Sequence, residues 1–76
     1  MILIEVLVPE MNKTLYTRVC RDITIGELAG KMGRIFRMKS PAITILGINK
    51  KISEELTLDD IGIKNGAGVL VTNGRI

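Results

Sequence analysis

The sequence predicts an α+β domain in which one amphipathic helix packs on a sheet, and three observations carry that reading. Ile and Val alternate with Leu and Glu over residues 2–8, and Leu15, Thr17 and Val19 alternate with Tyr16 and Arg18 within residues 14–20. The apolar spacing lengthens to three and four between Ile25 and Phe36. Alternation then returns at 42–46 and at 69–72. A period of two places side chains on opposite faces of a strand, whereas spacings of three and four gather them on one face of a helix.

Over residues 2–8, Ile2, Ile4, Val6 and Val8 share one face and Leu3, Glu5 and Leu7 the other. Pro9-Glu10-Met11-Asn12-Lys13 is turn-like, and residues 14–20 alternate again, with Leu15, Thr17 and Val19 inward against Tyr16 and Arg18 outward. The two strands make a hairpin. In Thr24-Ile25-Gly26-Glu27, Thr and Glu stand three residues apart, the spacing of a capping box, in which each side chain bonds a backbone N–H left free in the first helical turn. From there Ile25, Leu28, Ala29, Met32, Ile35 and Phe36 form one apolar stripe running to about Met38, and Ser40-Pro41 stops the helix. Gly26, Gly30 and Gly33 each cost about 1 kcal/mol relative to alanine, so packing on the sheet has to hold this helix.

Residues 42–46 form a short strand with Ile43 and Ile45 on one face and Thr44 and Leu46 on the other. Asn49-Lys50-Lys51 is a polar turn before Ile52. Thr57-Leu58-Asp59-Asp60-Ile61-Gly62 reads as a single capped turn with acids near its N-terminus and glycine at its end. Asn65-Gly66-Ala67-Gly68 turns the chain into the last strand at 69–72. The expected core is Ile4, Val6, Leu15, Val19, Ile25, Leu28, Met32, Ile43, Ile45, Ile52, Leu58, Ile63, Val69 and Val71.

Composition narrows the function. Residues 1–76 suffice for one small domain, and a hydrophobic fraction of 46% allows a packed core without metal or disulfide, which excludes disorder. A chain of this size leaves little volume for a substrate pocket. It contains no His, which removes the commonest general base near neutral pH and any His-ligated zinc. Cys20 is alone, so neither a disulfide nor a cysteine cluster can form within the chain; a structural thiol in a reducing compartment is expected. Asp59 and Asp60 complement the start of the capped turn rather than hold a metal. The opening MILIEVLVPE, interrupted by Glu5 and without a basic leader, reads as neither a signal peptide nor a membrane span. These features point to a cytoplasmic, non-enzymatic protein without cofactor.

Hairpin, helix, short strand, polar turn, capped turn and final strand is the element order of the ubiquitin-like β-grasp. Ile23-Thr24-Ile25-Gly26-Glu27-Leu28 resembles ubiquitin's helix start. Residues 46–71, with Lys50-Lys51-Ile52, Thr57-Leu58-Asp59-Asp60, Ile63 and Val69-Leu70-Val71, are similar to ubiquitin almost without gaps. The resemblance implies a mixed four- to five-stranded sheet wrapped around one helix plus a short capped turn. Leu58-Asp59-Asp60-Ile61-Gly62-Ile63-Lys64-Asn65-Gly66 further resembles the ending of the YukD/EsaB family, although Ala67 stands where that family usually has Asp. Those are stand-alone bacterial ubiquitin-like proteins without Gly-Gly, associated with type VII secretion. This likeness implies a non-conjugated adaptor, accessory to such a system, whose partners are proteins, a membrane-associated secretion complex among them. The alternative is a sulfur carrier or ubiquitin-like modifier that serves as substrate of an adenylating enzyme. Such chemistry needs an unhindered C-terminal Gly-Gly, and the sequence Thr72-Asn73-Gly74-Arg75-Ile76 disfavours it.

Two surface features are candidates for binding. By alternation Leu3, Leu7, Leu46 and Leu70 project from the sheet face that the helix does not cover, with Ile48 nearby. Leu7, Leu46 and Leu70 match positions in or beside the apolar patch through which ubiquitin binds most partners. A contiguous apolar patch marks an interface with a protein partner or a second copy. The whole net charge of +3 sits on residues 24–39, where Lys31, Arg34, Arg37 and Lys39 outweigh Glu27. This basic face suits an acidic partner or anionic headgroups without membrane insertion. Tyr16 and Phe36 are the only aromatic residues, which leaves no stacking platform for nucleic acid.

Overall fold

The computed structural model describes residues 1–48 and 52–73. Its elements are strand β1 (Ile2–Val8), a 3₁₀ turn (Pro9–Met11), strand β2 (Lys13–Val19), helix α1 (Ile25–Phe36), strand β3 (Pro41–Ile45), the single-turn helix α2 (Leu58–Ile61) and strand β4 (Ala67–Asn73). The strands form one mixed sheet in the order β2-β1-β4-β3. β1 pairs antiparallel with β2 and parallel with β4, and β3 pairs antiparallel with β4. The expected α+β architecture of one main helix on a mixed sheet is present, with four strands among the described residues.

Alternation on β1 works as its sequence requires: Ile2, Ile4, Val6 and Val8 are buried and the three residues between them half-buried. Val69 and Val71 of β4, Ile45 of β3 and Val19 of β2 complete the sheet side of the core. α1 supplies Ile25, Leu28, Ala29, Met32 and Phe36, and α2 supplies Leu58. Of the expected core, Leu15, Ile43, Ile52 and Ile63 are only half-buried and pack against its rim. Ile35 departs from the apolar stripe and is 57% exposed. It lies on the stripe's margin in the last turn, whereas the segment leading into α2 lies against Ile25 and Gly26 at the first turn.

That cover explains the helix start. Ile25 N–H donates to the Leu56 carbonyl (2.9 Å) and Gly26 N–H to the Glu54 carbonyl (3.0 Å). Glu27 N–H donates to Thr24 Oγ1 (3.0 Å), while Glu27 Oε1 accepts from Thr24 N–H (2.9 Å). The capping box is thus formed, and the four amides that a helix start leaves without partners are satisfied. Helix α1 ends slightly earlier than Ser40-Pro41 suggests. Arg37 adopts a left-handed conformation (φ 57°), and Met38 N–H reaches back to the Gly33 carbonyl at 2.9 Å. Pro41 instead opens β3, and its ring lies against Gly33.

The second capping box, Thr57 with Asp60, starts α2, and Gly62 (φ 84°) ends it. Leu58 N–H donates to the Ile23 carbonyl (3.1 Å) and Asp59 N–H to the Arg21 carbonyl (2.9 Å), which ties α2 to the residues just before α1. The polar turn expected at Asn49-Lys50-Lys51 lies outside the described residues, as do Gly74, Arg75 and Ile76.

Candidate functional site

The helix covers one face of the sheet, and the candidate site is the other. Its floor is set by register. Leu7 lies directly opposite Leu70, Leu70 opposite Thr44, and Glu5 opposite Gly68. Leu7 and Leu70, on parallel neighbouring strands, therefore form the centre of an apolar strip. Leu46, just past the end of β3, folds back over this strip. A Cβ placed on Gly68 would stand 2.7 Å from Leu46 Cδ1, so only glycine leaves room for the leucine to lie there. Leu46 N–H donates to the Gly68 carbonyl (3.0 Å), which fixes the leucine's backbone beside β4. Leu46 is still 50% exposed, and Leu7 and Leu70 are half-buried.

The five expected positions do not form one patch. Leu7, Leu46 and Leu70 come together. Leu3 belongs to the same face but sits at the far end of β1 opposite Arg18, near the Asn65-Gly66 turn. Ile48 turns toward the core side, packing on the core and lining a cleft between α1 and β3 with Ile25, Ala29, Ile43 and Ile52. Tyr16, 63% exposed, borders the strip on β2 and points its hydroxyl toward Glu5 Oε2 at 3.4 Å. Sequence reasoning placed Tyr16 outward but did not place it beside the leucines; the hairpin register, which sets it opposite Glu5, is the signal that locates it.

The basic positions Lys31, Arg34, Arg37 and Lys39 are all exposed. Lys31 and Arg34 flank a shallow groove floored by Ile23 and Gly30, with Cys20 at its edge. Arg37 also serves the fold, since its left-handed backbone closes α1. The acids of α2 are engaged locally: Asp59 Oδ1 lies 4.0 Å from Arg21 Nη1, and Asp60 Oδ2 accepts from Thr57 N–H at 3.0 Å. The Thr57 backbone bond, followed by the bond with its side chain, holds the Asp60 carboxyl below its ordinary value.

Solved structures place this architecture. Ubiquitin of Caldiarchaeum subterraneum superposes with a TM-score of 0.82 at 15% identity, covering 99% of this chain and 95% of that one. The fold is the ubiquitin-like β-grasp. The ubiquitin-like domain of an Arabidopsis thaliana protein is similar with a TM-score of 0.78 at 22% identity, covering 99% of this chain and 79% of that one. A structure of ATBAG1 in complex with HSP70 matches with a TM-score of 0.81 at 13% identity, over 100% of this chain and 42% of that one. No family model matches the chain, and no curated protein does. In β-grasp terms the leucine strip occupies the outer sheet face. No helix among the described residues is long and apolar enough to cross a membrane.

Proposed function

We propose that this chain is a non-enzymatic, non-conjugated ubiquitin-like adaptor of the cytoplasm that binds a protein partner through the outer sheet face, as an accessory component of a bacterial type VII secretion system. The observation that carries the adaptor reading is the apolar strip of Leu7, Leu70 and Leu46, which the helix leaves uncovered. Burying apolar surface contributes roughly 25 cal/mol per Å², whereas an exposed charge pair contributes about 0–1 kcal/mol. The leucines therefore dominate affinity, and Lys31, Arg34, Arg37 and Lys39 steer the encounter with an acidic surface. The complex of ATBAG1 with HSP70, in which one chain contains a region of this fold, is consistent with protein binding. The secretion assignment and the non-conjugated reading both rest on the likeness of residues 58–66 to the YukD/EsaB ending.

Complementation tests both parts. In a host that carries the secretion system, deleting the gene should abolish export of the WXG-type substrate. The wild-type chain should restore export, and Leu46→Asp or Leu70→Asp should not. Export that persists in the deletion strain refutes the secretion role. Mass spectrometry of the protein from its native cell separates the carrier or modifier alternative, because a thiocarboxylate or isopeptide-linked adducts would establish adenylation chemistry instead.

A further inference from the structure

Strand β2 forms one edge of the sheet. The direction of its backbone follows from β1. Leu3 N–H donates to Asn65 Oδ1 (2.8 Å) and the Leu3 carbonyl accepts from Gly66 N–H (2.8 Å), so the odd-numbered residues of β1 turn their backbone toward β4 and the even-numbered ones toward β2. Ile4 with Thr17 and Val6 with Leu15 are therefore hydrogen-bonded pairs. Thr14, Tyr16 and Arg18 consequently direct N–H and C=O away from the sheet, and among the described residues nothing pairs with them.

Natural sheet edges are usually blunted by proline, a bulge, shortness or charged side chains. β2 has only the last of these, Lys13 and Arg18: it runs seven residues, pairs one-to-one from Lys13 to Val19 and contains no proline. The opposite edge, β3, is five residues long and starts at Pro41. The inner face beside the β2 edge is also incompletely covered. α1 packs over β3 at the other side of the sheet, and Leu15 and Thr17 remain half-buried.

We propose that β2 pairs antiparallel with β2 of a second copy about a two-fold axis at Tyr16, joining two four-stranded sheets into one. The chain's own residues select this register. It pairs Thr14 with Arg18 of the second copy, Tyr16 with its Tyr16 and Arg18 with its Thr14, and each pair exchanges two N–H···O bonds. A shift by two residues in either direction leaves one of the three outward residues beyond the end of the facing strand. No like charges stand opposite one another, because Arg18 faces threonine and Lys13 faces Val19. On the inner face Leu15 comes opposite Thr17 of the second copy and diagonal to its Leu15, which covers the half-exposed positions. On the outer face the two exposed Tyr16 rings become direct cross-strand neighbours. An isologous contact requires such a self-complementary surface.

This edge is distinct from the leucine strip, so the two can fail separately. Tyr16→Pro deletes an outward N–H that takes no part in the β1 ladder, at the kind of edge position that accepts proline, whereas Tyr16→Ala removes the ring and keeps the N–H. Sedimentation equilibrium from micromolar to millimolar protein should move wild type from 8.4 kDa toward twice that mass. Tyr16→Ala should still associate, more weakly, and Tyr16→Pro should stay monomeric with an unchanged circular dichroism spectrum. In wild type the Thr14, Tyr16 and Arg18 amides should gain exchange protection with concentration, and this measurement decides alone if the proline variant does not fold. Because each copy carries a net charge of +3, added salt should strengthen the dimer, opposite to the effect on docking with an acidic partner. Wild type that stays monomeric throughout overturns the proposal. A Tyr16→Pro variant that still dimerises overturns it too. So does a dimer that Leu70→Asp breaks, or one without added protection at those three amides.

Discussion

Gly33→Ala should destabilise the protein although alanine favours helix more than any other residue. The substitution gains about 1 kcal/mol of helix propensity. Against this stands a steric cost set by where the new Cβ falls: 2.7 Å from Pro41 Cγ and 3.2 Å from the Met38 carbonyl oxygen. Neither neighbour is the far end of a flexible side chain. Pro41 is held in β3 by its pairing with Asn73, and Met38 is fixed by the backbone bond that closes α1. Relief therefore requires α1 and β3 to separate. Overpacking of this kind costs about 1–3 kcal/mol, and with rigid neighbours the upper half of that range applies, for a net loss of about 1–2 kcal/mol. Gly30 supplies the internal control, because a Cβ there meets nothing within 4 Å; Gly30→Ala should stabilise by up to about 1 kcal/mol. In a protein of this size 1 kcal/mol moves the melting temperature by roughly 4–8 °C. The two variants, about 1–3 kcal/mol apart, should thus differ by roughly 4–24 °C, with equal urea m-values if neither changes the unfolded state. Thermal and urea unfolding followed by circular dichroism measure both quantities. If Gly33→Ala proves as stable as wild type or Gly30→Ala, the contact with Pro41 does not explain the glycine.

Adjacent positions on β4 should behave oppositely. Val71→Asp, at 0% exposure, should unfold the domain, whereas Leu70→Asp should leave its circular dichroism spectrum intact and remove partner binding; an unfolded Leu70→Asp would show the facing of β4 to be wrong. Asp60 predicts a pH dependence. Its folded value is depressed by the Thr57 bonds, so its stabilisation is complete above the ordinary aspartate value of 3.8 and is lost as the pH falls through the lower folded value. Urea midpoints across the acid range should accordingly show a smaller loss for Asp60→Asn than for wild type. Replacing Arg34 and Arg37 together by Glu should mainly slow association with an acidic partner and weaken its salt dependence in stopped-flow measurements; an unchanged association rate would exclude steering by this face.

Much of the fold was legible because its signals are local. Thr24 with Glu27 and Thr57 with Asp60 announce helix starts through bonds spanning three residues, and both capping boxes form. Alternation over residues 2–8 fixed the faces of β1 without knowledge of its neighbours. The misplacements have the reverse character. Ile35 fits the helical period yet is exposed, because burial depends on which distant segment covers each turn of the helix. Leu15, inward by alternation, is only half-buried because β2 is an edge strand with α1 over the far side of the sheet. The helix end at Arg37 turns on a left-handed residue that is not glycine, a choice without a composition signal.

The candidate site was legible in direction but not in extent, for a physical reason. Alternation decides which face a side chain joins, and it placed Leu3, Leu7 and Leu70 on the outer face correctly. Whether such residues form one surface depends on register between strands distant in sequence. The parallel pairing of β1 with β4 sets Leu7 beside Leu70 and leaves Leu3 near the Asn65-Gly66 turn. Leu46 depends on a different determinant, the missing side chain of Gly68, which gives it a seat on β4. Gly68 therefore shapes the proposed interface without offering a side chain to it. Gly68→Ala should displace Leu46 while sparing the buried Val69 and Val71 on the opposite face, since the new Cβ would collide with Leu46 Cδ1 at 2.7 Å. The expected result is weakened partner binding with little change in melting temperature, read by calorimetric titration and thermal unfolding on the same sample. Undiminished binding would mean that Leu46 contributes from a position other than its seat over Gly68. A large loss of stability would mean that the Leu46 contact supports the fold rather than the surface.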